Sequence, residues 1–361
     1  MQRLLLASII FVSGAFSFCN SPKNSQQSVA VFFGADNPNI QYTGRIDFSN
    51  RKLPRFWSPG VYITAKFKGP SCSFIINDEV LWGNSHNYLE VVIDNQKPVR
   101  LQLQSNSDTI QAATGLSKGE HTITICKNTE SGIGYLEFAG FQCAALVTPP
   151  PKPTRKMEFI GNSITCGTGS DLSVLPCNTG QWYDQHNAYM SYGPVTARAL
   201  NAQWQLSAVS GIGLIHSCCN MTITMPQVFD KLNMRTDSIP WNFTQYTPDV
   251  VTIALGQNDG IQDSATFTHA YINFIGQVRE RYPLAQIICL TSPMGDARLT
   301  AALKNYIDGI VNYTNKRGDK KVSRYFFSKQ YHNGCGGHPD LAEHKLIAAE
   351  LTAYVKQLMN W

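Results

Sequence analysis

Between Ala30 and Val147 apolar and polar positions alternate with the period of two that sends successive side chains to opposite faces of a sheet. Val61-Tyr62-Ile63-Thr64-Ala65-Lys66-Phe67 alternates, Ser73-Phe74-Ile75-Ile76 is a short apolar run, and Leu89-Glu90-Val91-Val92-Ile93 precedes the turn Asp94-Asn95. Val99 to Leu103, His121 to Cys126 and Tyr135 to Phe141 complete the predicted strands, with glycine-rich turns between them. Short strands with no helical run among them predict a sandwich or jelly roll over 30–147. Thr148-Pro149-Pro150-Pro151-Lys152-Pro153 then removes backbone donors and favours extended geometry, so 148–154 reads as a stiff linker.

Beyond the linker the period changes. Met157 to Ile160 is an apolar strand, Tyr192 to Asn201 has helical spacing, and Gln205 to Val209 is a strand ending at Ser210-Gly211-Ile212-Gly213. Asp249 to Leu255 is nearly unbroken in its apolar character, as a strand buried on both faces should be. A helix over Phe267 to Arg281 stops before Pro283, Gln286 to Leu290 is another buried strand, and helices over Leu299 to Tyr313 and Leu341 to Leu358 follow. Alternating strands and helices predict an α/β domain over 155–361, its parallel sheet covered on both faces.

The amino terminus changes the picture from a bare two-domain protein to an exported one. Arg3, the apolar run Leu4 to Val12 and the small-x-small site Ala15-Phe16-Ser17 make 1–17 a signal peptide, with 18–29 a polar leader. Export to the periplasm or the medium is expected. Lipid attachment at Cys19 is the lesser alternative, because bulky Phe18 stands where a small residue is preferred. No other stretch is apolar enough to be transmembrane. The net charge of +5 is spread without a basic cluster, which gives nucleic-acid binding no support. Ten cysteines in an oxidising compartment predict some pairing. Cys166 with Cys177, or Cys166 with Cys335, would tie loops near the chemistry described next; buried free thiols are the other possibility.

Ser163, in Gly161-Asn162-Ser163, sits just past the end of its strand, where open α/β sheets place ligand chemistry. A serine hydroxyl needs a base and a cradle for developing negative charge. The loops Ser210-Gly211-Ile212-Gly213 and Gly256-Gln257-Asn258-Asp259 supply small residues with accessible N–H groups and the side-chain amide of Asn258. Of the eight histidines, His338 is singled out by its loop, Gly334-Cys335-Gly336-Gly337-His338-Pro339, just before the last helix. His344 lies inside that helix. His86, His121, His186, His216, His269 and His332 have no such setting. His332, Cys335 and His338 are evenly spaced but lack a fourth ligand, so no metal or other cofactor is expected.

Gly-Asn-Ser, the Ser-Gly pair, Gly-x-Asn-Asp and the late His-Pro resemble the four blocks of SGNH (GDSL-type) hydrolases. The first domain adds Phe56-Trp57-Ser58-Pro59-Gly60, Lys66-Phe67-Lys68-Gly69, Lys127-Asn128-Thr129-Glu130 and Phe138-Ala139-Gly140, which with Ser163-Ile164-Thr165-Cys166-Gly167 resemble carbohydrate esterase family 2. The resemblance implies a jelly roll joined to a flavodoxin-like SGNH domain that removes acetyl groups from polysaccharides such as xylan and glucomannan. It also implies Ser163 as nucleophile, His338 as general base, and an oxyanion hole of the Ser163 N–H, the Gly211 N–H and the Asn258 side chain. Gly213 is the alternative to Gly211, and Asp259 is expected to brace its loop.

Two departures stand out. Asn162 replaces the usual aspartate of the first block, and Cys335 and Gly336 occupy the positions where an aspartate commonly orients the histidine. The resemblance then implies a Ser-His dyad with the imidazole held by a backbone carbonyl, Asp340 and Glu343 being placed to cap the last helix instead. Gly337 takes the place of a tryptophan often found before that histidine. The competing functions are a lipase or thioesterase using the same dyad, and a decayed catalyst whose β domain binds carbohydrate through Trp57 and Trp82. Both tryptophans are expected in the jelly-roll core.

Overall fold

The computed structural model describes residues 30–235 and 239–361. The expected signal peptide, leader and Cys19 lie outside the described residues. Among the described residues nine strands build the first domain: β1 (Val31–Gly34), β2 (Ile40–Thr43), β3 (Arg55–Phe56), β4 (Tyr62–Asp78), β5 (Tyr88–Ile93), β6 (Val99–Gln102), β7 (Ser107–Ala113), β8 (Glu120–Lys127) and β9 (Leu136–Val147). They pair antiparallel along β1-β9-β4-β8-β5-β6, with β2 and β7 also on β4 and β3 on β9.

The two strands expected at Val61–Phe67 and Ser73–Ile76 are one strand of 17 residues. Its register against β9 shifts between Lys68 and Cys72, so the strand bends at Gly69-Pro70; the first part pairs with β8 and the second with β7. Ile63, Ala65, Phe67, Phe74 and Ile76 alternate into one core with Leu89, Ile123, Phe138 and Phe141. Strand β7 escapes sequence detection because only Ile110 is a large apolar residue within it. Trp57 is buried and packs edge-on against Tyr135, as expected. Trp82 is not in the core: it is 84% exposed, on a turn after β4 where Val80 and Trp82 both have positive φ. Trp82 lies inside the short turn closed by the Leu81–Ser85 bridge, outside the strands whose side chains fill the core.

The second domain runs β10 (Arg155–Gly161), α1 (Ser163–Cys166), α2 (Tyr192–Ala199), β11 (Ala202–Ala208), α3 (Met225–Val228), β12 (Val250–Ile253), α4 (Ser264–Arg281), β13 (Gln286–Leu290), α5 (Ala297–Lys316), β14 (Val322–Tyr325) and α6 (Leu341–Met359). Its five strands are parallel in the order β11-β10-β12-β13-β14. The fold class is therefore the expected one. Alternate strand residues face opposite layers: Ile160, Val251, Ile253 and Ile287 pack on α4 and α5, while Met157, Phe159, Val250 and Ile288 pack on α2 and α6. Both faces being apolar is why these strands read as unbroken runs. The first strand of this domain lies between the second and third, so the strand order reverses between β10 and β12. Doubly wound sheets open a crevice at such a switch point.

The two domains share a core. Tyr62 stacks on Trp204 with ring centroids 3.9 Å apart, and Trp204 Nε1 donates to the Gly60 carbonyl at 2.9 Å. Cys126 of β8 packs with α2 and α6 residues in one cluster.

Candidate active site

Strand β10 ends at Gly161, and the chain turns at once into α1. A side chain at Gly161 would place its Cβ 2.1 Å from Thr165 Oγ1, so the turn tolerates only glycine. Asn162 caps the short helix, its Oδ1 accepting from the Ile164 N–H at 3.2 Å. An amide oxygen performs this acceptor role without a charge, which accounts for asparagine in place of aspartate. Ser163 is thereby held at the switch point, 7% exposed.

His338 Nε2 lies 2.8 Å from Ser163 Oγ, and Nδ1 lies 3.0 Å from the Cys335 carbonyl oxygen. A carbonyl only accepts, so Nδ1 carries the proton and Nε2 keeps its lone pair toward the serine. Burial lowers the imidazole's proton affinity below the ordinary histidine value, the hydrogen bond to Cys335 opposing it. The ring is therefore neutral at neutral pH and able to accept a proton.

The carbonyl owes its position to the residues that replace the expected aspartate and tryptophan. Gly336 and Gly337 have φ of 61° and 72°, a left-handed pair that turns the chain so that the Cys335 oxygen accepts from both the backbone N–H and the ring of His338. The Cys335 N–H donates to Gly169 O at 2.8 Å, and its sulfur is bonded to Cys177. Neither pairing considered for Cys166 occurs. Cys166 is a buried free thiol at the end of α1, pointing at Glu130, while Cys177 reaches Cys335. The bond to Cys177 also removes Cys335 as a metal ligand. Asp340 and Glu343 form a reciprocal capping box at the start of α6.

On the opposite side, the N–H groups of Ser163 and Gly211 have no hydrogen-bond partner among the described residues, and Asn258 Nδ2 spends one hydrogen on Ile212 O at 2.8 Å. Gly213 is different: its N–H donates to Ser217 Oγ at 3.0 Å. That leaves Gly211 as the free donor of the pair. Asp259, 3% exposed, accepts from the N–H groups of Leu214, Ile215 and His216 at 2.7–3.0 Å, holding the loop that follows Gly211.

Ser163, His338, Gly211 and Asn258 thus line one cleft of about 590 Å³, with Trp182, Met221, Arg235 and the adjacent, disulfide-linked Cys218 and Cys219. Trp182, 52% exposed, also walls a neighbouring depression of about 430 Å³ beside Cys335 and Gln185. Sequence pattern does not single out Trp182 or Arg235, because each comes from a loop without periodicity. The other histidines stay out of the cleft wall: His344 is buried in α6, its Nδ1 accepting from the Tyr192 N–H, and His186 is buried too.

A family model described as carbohydrate esterase 2 N-terminal matches residues 42–153, and one described as the GDSL-like lipase/acylhydrolase family matches residues 159–322. The chain is 34% identical, over 90% of its length, to the cellulase/esterase CelE of Acetivibrio thermocellus, of which it spans only 40%. It is 29% identical to an acetylxylan esterase/glucomannan deacetylase of Cellvibrio japonicus, the match covering 99% of each. Among solved structures, a family two carbohydrate esterase from Clostridium thermocellum, in complex with cellohexaose, superposes with a TM-score of 0.81 at 32% identity, covering 89% of this chain and 99% of that one. A family two carbohydrate esterase from Cellvibrio japonicus superposes with a TM-score of 0.83 at 26% identity, covering 92% and 98%.

Proposed function

The chain belongs to carbohydrate esterase family 2, and on that premise we propose that it removes acetyl groups from plant polysaccharide of the xylan or glucomannan type. The observation that carries the reading is the 2.8 Å contact of His338 Nε2 with Ser163 Oγ, facing two unspent N–H groups across one cleft. The relatives named for acetylxylan and glucomannan support the substrate class.

The chemistry follows from the geometry. Ser163 Oγ attacks the acetyl carbonyl carbon while its proton passes to His338 Nε2, and the imidazolium is held through Nδ1–H by the Cys335 carbonyl. The carbonyl oxygen becomes an oxyanion, which accepts from the N–H groups of Ser163 and Gly211 and from Asn258 Nδ2. As the tetrahedral intermediate collapses, His338 returns the proton to the departing sugar oxygen, leaving Ser163 acetylated. Water then repeats the sequence with His338 as base, releasing acetate. Exposed Trp182, walling both depressions, offers a flat apolar face to a sugar ring beside the reacting ester. The disulfides around the cleft suit a protein that works after export.

Acetate release from acetylated xylan, acetylated glucomannan and 4-nitrophenyl acetate tests the assignment. Wild-type protein is expected to act on all three, and Ser163→Ala and His338→Ala to lose at least about a thousandfold in kcat. No release by the wild type, or equal release by Ser163→Ala, would sink it. Preference for octanoyl over acetyl esters would point instead to a lipase.

A further inference from the structure

We infer that Glu130, a residue of the β domain, is a positioning residue of the esterase: its buried carboxylate fixes the oxyanion loop and the nucleophile's helix relative to each other. This rests on the assignment of Ser163, Gly211 and His338 above. Glu130 follows β8 in the segment Lys127-Asn128-Thr129-Glu130, which leaves the sandwich and enters the second domain. Asn128 accepts from the Tyr189 N–H at 3.0 Å through its side chain and from the Ala188 N–H at 3.2 Å through its carbonyl. The buried Lys127 side-chain nitrogen donates to the carbonyls of Thr129 and Glu130 at 2.7 and 3.2 Å and holds the segment's shape.

The carboxylate sits where both arms of the site meet. Its Oε2 accepts from the Ser210 N–H at 2.6 Å and from the Cys166 thiol at 3.6 Å, and its Oε1 lies 3.5 Å from the guanidinium of Arg235. Ser210 precedes Gly211, so a bond to the Ser210 N–H fixes the residue whose carbonyl forms the next peptide, the one that carries the proposed oxyanion donor. The Ser210 side chain is held from the other side by Thr168 Oγ1 at 2.8 Å. Cys166 closes the helix that Ser163 opens. Glu130 has a fully buried side chain and makes no contact with the nucleophile or the base, so its action passes through Ser210, Cys166 and the cleft-wall Arg235. The 2.6 Å bond from the Ser210 N–H is the short one of the set, and charge-assisted bonds of that kind are about twice as strong as neutral ones, which suits a brace more than a spacer.

The full chain carries the test, with kcat and KM on 4-nitrophenyl acetate normalised to active sites titrated by a fluorophosphonate. Glu130→Ala is expected to lower kcat about ten- to a hundredfold while KM moves less than about twofold, because a displaced donor weakens transition-state binding alone. Glu130→Asp, which keeps the charge but withdraws it by one methylene, should behave like Glu130→Ala. Glu130→Gln, which keeps an acceptor for the Ser210 N–H, should recover most of kcat. The fluorophosphonate's inactivation rate should fall in step with kcat, since its phosphoryl oxygen uses the same hole. Folded Glu130→Asp with wild-type kcat, or variants that lose only thermal midpoint, would overturn the proposal; should Glu130→Ala fail to fold, the Asp and Gln pair decides alone. An inactive wild type would remove the esterase reading itself, whereas an active wild type with inactive Ser163→Ala and unaffected Glu130 variants would remove only this one.

Discussion

The imidazole of His338 faces a backbone carbonyl where related hydrolases often place a carboxylate, and this sets its titration. Among the described residues no carboxylate hydrogen-bonds to the ring, and burial disfavours the imidazolium. The protonated ring cannot accept the serine proton, so kcat/KM should fall as pH drops through the lowered histidine value and stay flat above it. The acid limb on an aryl acetate is thus expected below pH 6.5, the ordinary histidine value. A midpoint at or above that value would mean an unseen anionic partner. At this scale strand ends and a glycine-rich loop mark Ser163, His338 and Asn258 as candidates in the sequence, and the structure brings them to one cleft. It could not separate Gly211 from Gly213, since the difference lies in a hydrogen bond to Ser217 Oγ that no spacing records. Nor could it place Cys335 against Cys177, 158 residues away, because loop geometry decides which sulfurs meet.

Elements were legible where their burial was uniform. Strands β10, β12 and β13 and the helices α4, α5 and α6 declare themselves through runs packed on both sides or on one broad stripe. Strand β14 escapes the pattern because only Val322 of its four residues is buried at the sheet edge, and β4 reads as two strands because Gly69-Pro70 has the signature of a turn when it is a bend within one strand. The turn before α6 is likewise an element whose work is invisible in pattern. Its two left-handed glycines aim the Cys335 carbonyl, and the bond to Cys177 anchors it to the loop that also carries Trp182. Replacing both cysteines by serine keeps that carbonyl but frees the turn. The double variant Cys177→Ser/Cys335→Ser should lose about 2–4 kcal/mol of stability from the long closed loop. Its kcat should fall about ten- to a hundredfold, as expected for a histidine displaced by about 1 Å. Thermal unfolding and steady-state kinetics well below the transition separate the two losses. Unchanged kcat would show that the bond from Cys335 N–H to Gly169 O suffices to hold the turn.

At the scale of the whole molecule, the proline run after β9 suggests two independent bodies, and the packing says otherwise. Arg45, from the loop after β2, is wholly buried in the second domain, donating to Glu158 Oε1 at 3.2 Å and to the carbonyls of Phe229 and Lys231 at 2.6 and 2.7 Å. Its guanidinium lies 5.3–5.8 Å from the rings of Phe229, Trp241 and Phe243. Such contacts join residues more than a hundred positions apart, beyond the reach of any local pattern. Among the described residues Arg45 Nε lacks a partner, so the pair is incompletely compensated for its lost hydration. Breaking it should therefore be worse than replacing it. Glu158→Ala leaves a buried cation unpaired and is expected to cost about 3–5 kcal/mol, whereas Arg45→Met with Glu158→Leu should cost far less. Because Glu158 lies on β10, only a few residues before Ser163, and Arg45 belongs to the sandwich, the two domains should unfold in one transition, with activity lost at the same temperature. Calorimetry of the wild type and both variants checks this. Two resolved transitions in the wild type, with Glu158→Ala lowering only the second, would show that the pair stabilises one domain and leaves the other indifferent.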